Sequence, residues 1–186
     1  KNTVSTINKN DGDIGAGLKE ALNNGIESAV NQLSAEKGYL DSPYKILIPA
    51  DAQKVIDKVK KIPGFQDVET KLVQQMNSAA EIAAKKATPI FVNAIKSMSI
   101  QDAIGLVRNG DTSATHFFRE KTTAQLIAAF TPVIKSSLDK VNATKYYSDM
   151  VNKYNSLPIV FKKINPDLTG YVTSKATNAL FDLVAQ

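Results

Sequence analysis

The chain has no cysteine, no tryptophan and a single histidine, His116, in 186 residues. Each absence removes a class of chemistry. Without cysteine there is no disulfide, thiolate nucleophile or sulfur-bound cluster, and one imidazole is too few for the closely spaced ligands of an ordinary zinc site. The sequence therefore assigns no metal, no cofactor and no catalytic residue. Long apolar runs are missing too, since nothing approaches the roughly 20 residues that carry a helix across a bilayer. Arginine is limited to Arg108 and Arg119, so the formal net charge of +5 comes from lysines spread between Lys1 and Lys175. Base readout favours the flat, bidentate guanidinium, and scattered lysine serves solubility; both argue against a nucleic-acid partner. The densest basic group is Lys54, Lys58, Lys60 and Lys61, of which 54, 58 and 61 share a helical face that reads as solvated. Gly12, Gly15 and Gly17 lack the upstream strand and the lysine motif of a phosphate loop.

What is present is helical punctuation. With 43% hydrophobic and 22% charged residues the chain has a globular composition, and its length suits one domain with one core. Residues 1–13 are polar and read as a flexible arm ending at an N-cap, so that residues 14–186 form the domain. Leu18, Leu22, Ile26, Ala29, Val30 and Leu33 then recur at helical spacing, and Gly38 is placed to end the run in a left-handed conformation. Two prolines around Tyr44–Ile48 favour an extended connection with a short strand near Ile46–Ile48, and Asp51 is placed to cap a helix through Ile62. The clearest segment runs from Phe65 to Met98. Its alanines at 79, 80, 83, 84 and 87 allow close helix approach, so it reads as central, with Pro89 starting or kinking a successor. Ser99–Asp102 resembles a helix start and Asn109–Gly110 a stop. Later runs carry Phe117 and Phe118, Leu126 to Val141 with a bend at Pro132, Tyr146 to Tyr154, and Leu168 to Leu183 after Asn165–Pro166–Asp167. These segments predict an all-α, single-domain bundle of about seven to nine helices, some bent by proline, with at most a minor β-hairpin near 44–49.

Several short motifs then carry a resemblance: Gly17-Leu-Lys-Glu-Ala-Leu, Met76-Asn-Ser-Ala-Ala-Glu, Pro89-Ile-Phe with Ala94-Ile, Gly110-Asp-Thr-Ser-Ala-Thr, Phe118-Arg with Lys121-Thr, Leu157-Pro and Tyr171-Val-Thr. In this order, from about Ile14 to Ala185, the chain resembles the bacterial domain of unknown function 4197 family, uncharacterised exported helical proteins. The resemblance implies export, residence in the periplasm or envelope, and a targeting or tethering segment upstream of Lys1. It brings no catalytic residue. Members of the family often continue into a charged, arginine-containing tail, which this sequence lacks after Gln186.

The richest polar stretch is 110–122. Asp111, Ser113 and His116 can be named as acid, nucleophile and base, but successive positions on one helix rarely set an imidazole between serine and carboxylate, so the stretch reads as a capped helix start in which Asp111 and Thr112 satisfy free amides. Arg119, beside Phe117 and Phe118, calls for a carboxylate, with Glu81 and Asp102 as partners. Asn77 and Glu81, four apart on one helix, can line a polar pocket with Thr115 and Arg119. The candidate ligand-binding set is thus Asn77, Glu81, Asp111, Thr112, Thr115, Arg119 and Lys121. The function expected is non-catalytic: an envelope protein binding a partner protein or small molecule in a cleft between helices. The alternative is a hydrolase-like enzyme centred on residues 110–122.

Overall fold

The helical spacing in the sequence is realised as eight α-helices, with no strand among the described residues. The computed structural model describes residues 2–109, 113–160 and 162–184, with residues 2–13 and 107 described by backbone alone. The helices are α1 (Asn2–Ser34), α2 (Gln53–Val59), α3 (Val68–Ala84), α4 (Ala87–Ser97), α5 (Ile100–Arg108), α6 (Ser113–Lys140), α7 (Ala143–Asn155) and α8 (Leu168–Val184), with a 3₁₀ turn at Ala50–Ala52 before α2.

Several ends lie elsewhere than the sequence suggests. Helix α1 starts at Asn2 and passes through Asp11–Gly12–Asp13, where a cap was expected. Poor helix formers cost about 1 kcal/mol or less each, too little to stop a helix that is propagating. At its other end the left-handed residue is Lys37 (φ 62°), not Gly38. Glycine is needed at 38 for space, because a Cβ there would collide with the carbonyl oxygens of Gln32 and Leu33. Asp51 lies inside the 3₁₀ turn and caps nothing, and α2 ends at Val59, before Ile62. The expected strand at 46–48 does not form either, although burial alternates there, with Ile46 and Ile48 buried and Leu47 61% exposed.

Other signals hold. The segment from Phe65 to Met98 divides into α3 and α4, and Pro89 stands in the first turn of α4, where a missing N–H leaves no hydrogen bond unmade. Ser99 caps α5 through a reciprocal pair: its Oγ accepts from Asp102 N–H, and the Asp102 carboxylate accepts from Ser99 N–H. The alanines of α3 at 79, 80, 83 and 84 are all buried, as is Ala87.

At the centre stands α6, packed against α3, α4, α7 and α8. Its buried residues Phe118, Thr122, Leu126, Phe130, Ile134 and Leu138 recur at every fourth position. A step of four advances about 40° beyond a full turn of a 3.6-residue helix, so the buried stripe winds around α6 and meets neighbours on several sides. The helix runs through Pro132. Phe91 of α4 meets Phe118 of α6 and Phe181 of α8 edge-on, with ring centroids 5.5 and 6.0 Å apart, which locks three helices together. The opposite side of Phe181's neighbourhood opens to solvent, and there the candidate site begins.

Candidate functional site

After a turn at residues 42–45, residues 45–49 form an extended segment held by side chains instead of by a second strand. The Asn77 carboxamide of α3 accepts from Ile46 N–H (2.8 Å) and donates to Ile46 C=O (2.9 Å), with a further bond to Val73 C=O (2.7 Å). One residue presents both its N–H and its C=O to the same side only when the backbone is extended. On the other side, the Tyr171 hydroxyl of α8 donates to Leu47 C=O (2.6 Å). Burial pushes the Tyr171 phenol above its ordinary range, which keeps it a donor further into alkaline pH than a free phenol.

Between this segment, α6 and α8 lies a cleft of about 570 Å³. Tyr171, Lys175, Asn178 and Asp182 of α8 line it at spacings of four, three and four, one stripe of a helix. Tyr44, Lys45 and Leu47 line the facing wall, and Arg119 of α6 closes the floor. Arg119 is fixed from three directions: Nη1 donates to Asn178 Oδ1 (3.0 Å), Nη2 lies 3.6 Å from Asp182 Oδ1, and the guanidinium stands 4.8 Å from the centroid of Phe181. Its side chain keeps 39% exposure, so the ion pair is weak and a face of the cation remains open to the cleft. Lys175 Nζ sits 5.8 Å from the Tyr171 ring centroid. Three cations thus surround the cleft against the single carboxylate of Asp182. Such a lining attracts an anion and offers aromatic surface beside it; it holds no evident nucleophile with a base.

The residues expected to share one pocket are dispersed. Asn77 is 1% exposed, and both ends of its carboxamide are used on backbone groups. Glu81 accepts from Lys37 N–H (3.0 Å), offsetting the left-handed turn after α1. Asp102 is spent on the Ser99 cap. Arg119 therefore takes neither expected partner and pairs instead with α8. Thr115 Oγ1 is buried without a partner among the described residues. Lys121 borders a separate cavity of about 250 Å³ with Asp102, Ser97 and Phe117. Asp111 and Thr112 lie outside the described residues. Of the serine, histidine and aspartate considered for hydrolysis, Ser113 gives its hydroxyl proton to Leu106 C=O (2.8 Å) and His116 is exposed.

Lys45, Tyr171, Lys175, Asn178 and Asp182 were missed. The 171/175/178/182 spacing was visible in the sequence, but a polar stripe is what any surface helix shows, and only the facing 43–47 segment makes it a wall. A second cleft of about 420 Å³ shares Tyr171 and continues toward Asp51, Asp167 and Tyr147. Burial, with the neighbouring Tyr171 and Asp51, pushes the Tyr147 phenol up to about 12.

No helix among the described residues is long and apolar enough to cross a membrane. Comparison with the curated proteins and with the solved structures finds no match. Residues 8–186 match the family model described as protein of unknown function (DUF4197), and the chain belongs to that family.

Proposed function

We propose that this protein is a non-catalytic binding protein, and that the cleft between residues 43–47, α6 and α8 receives an anionic group of a partner protein or small molecule. The observation that carries the reading is the convergence of Lys45, Arg119 and Lys175 on one aromatic-walled cleft. Arg119 is preorganised by Asn178, Asp182 and Phe181, so little ordering accompanies binding. The volume lies within the roughly 300–1,000 Å³ typical of ligand sites. Residence in the bacterial envelope belongs to the same reading and is supported by the family resemblance; cell fractionation tests it, and recovery in the cytoplasm contradicts it.

Isothermal titration at low ionic strength tests the binding. Glutarate, a dicarboxylate, is expected to bind and cadaverine, a diamine of similar length, is not. Affinity for glutarate should fall by about tenfold or more in the Lys45→Glu/Lys175→Glu double variant and fall again as salt is raised. Equal binding of dianion and dication, or no effect of the double charge reversal, removes the proposal.

A further inference from the structure

The cleft wall formed by residues 45–47 is a half-paired backbone edge, on which Lys45 N–H donates to Ser42 C=O (3.1 Å) and Leu47 C=O accepts from the Tyr171 hydroxyl (2.6 Å). Asn77 holds Ile46 from one side, so Lys45 C=O and Leu47 N–H point the other way, toward Tyr171 and the cleft. Neither group has a hydrogen-bond partner among the described residues. A carbonyl and an N–H two residues apart on one edge are what an added strand bonds to. Isolated edges of this kind are usually covered or blunted, because they template pairing with another chain. Here the edge is short, it lies in a cleft, and Lys45, Lys175 and Arg119 surround it.

Resting on the anion-binding reading above, we infer that the occupant is an acidic, extended segment of a partner protein, which adds as a single strand to the Lys45–Leu47 edge and sets its carboxylate side chains against Lys45, Lys175 and Arg119. Alternate side chains of a strand repeat at roughly 6.6–6.8 Å and project to the same face, so acidic residues at alternate positions of the segment all turn toward the face on which Lys45 lies. Side-chain carboxylates fit better than a chain terminus, because capture of a terminal carboxylate uses a nest of convergent backbone N–H groups and this wall offers one, that of Leu47.

Fluorescence anisotropy with a terminally blocked pentapeptide of alternating valine and glutamate tests the inference. The lysine-for-glutamate peptide, and the glutamate peptide N-methylated at alternate residues, should each bind about tenfold or more weaker than the parent. Leu47→Pro removes the edge donor while leaving Ile46 in the extended region it already occupies, and should weaken the parent peptide to a similar degree with an unchanged thermal midpoint. If the N-methylated peptide binds as well as the parent, strand addition is wrong and the anion-binding cleft survives. If neither glutarate nor the acidic peptide binds, both fall. The N-methylated comparison leaves the protein unaltered, so it decides the matter even if Leu47→Pro fails to fold.

Discussion

Asn77 and Asn155 show how single side chains replace a sheet in this protein. Asn155 repeats the Asn77 arrangement at Ile164, accepting from its N–H (2.8 Å) and donating to its C=O (2.7 Å). A carboxamide offers one acceptor and two donors with the geometry of a peptide group, so it satisfies an extended residue that has no neighbouring strand. The two sites differ in burial, and cost should follow burial. Asn77→Ala leaves Ile46 N–H and C=O buried and unpaired and is expected to destabilise by about 3 kcal/mol, whereas Asn155→Ala, where water can reach the freed groups, should cost about 1 kcal/mol. Urea unfolding of the two variants checks the ratio; equal losses would show that burial is not the controlling quantity. The turn after α1 carries a second prediction. Lys37→Gly relieves a left-handed φ and should gain about 0.5–1 kcal/mol, while Gly38→Ala forces a Cβ into the Gln32 and Leu33 carbonyls and should lose about 2 kcal/mol or more. Thermal unfolding with opposite signs at adjacent positions is the check.

Among the elements, α3 and α6 carry the packing. Ala80 and Ala83 are fully buried on α3, a helix packed against α6, α1 and α8, and a longer side chain there has no space to occupy. Ala83→Leu is accordingly expected to destabilise by about 1–3 kcal/mol, measured by denaturant unfolding, although leucine is nearly as good a helix former as alanine. A neutral result would mean that α3 is loosely packed. How legible each element was follows from which forces set it. The alanine stripe, the Ser99–Asp102 cap and the helical period in α8 are local and could be read directly. Helix α6 was harder, because a stripe that winds around the axis looks like two separate runs, one with Phe117 and Phe118 and one from Leu126 to Val141, where the structure has a single helix. The candidate site was least legible: the sequence places Asn77 and Glu81 on a face of α3 without showing what stands opposite, and here the opposite groups are the backbone of Ile46 and of Lys37. Arg119 was found because an isolated arginine beside phenylalanines has to be accommodated, but its partners Asn178, 59 residues away, and Asp182 belong to α8.

At the level of the whole molecule, buried phenols tie stability to alkaline pH. Tyr39 is buried and donates to Ala176 C=O (3.0 Å), and burial raises its pKa, as it raises that of Tyr147 to about 12 from an ordinary 10.0. The unfolded chain gives up these protons first. Stability is therefore complete below pH 10 and falls as pH climbs from 10 toward 12 and beyond. Phenolate absorbance from Tyr39 and Tyr147 should rise together with the loss of helical dichroism; ionisation of these residues in a chain that stays helical would contradict the packing described. The same architecture explains why the cleft exists. Edge-on phenylalanines fix α8 against α4 and α6, Asn77 holds residues 45–47 against α3, and the space left between these two rigid walls is lined by Lys45, Lys175 and Arg119. The most direct measurement is a solution NMR titration of the protein with glutarate. Amide shifts concentrated at Leu47, Lys175 and Asn178, and absent in the Lys45→Glu/Lys175→Glu variant, are the predicted result. Shifts confined to residues 113–122, or spread evenly over the surface lysines, would contradict the assignment of function to this cleft.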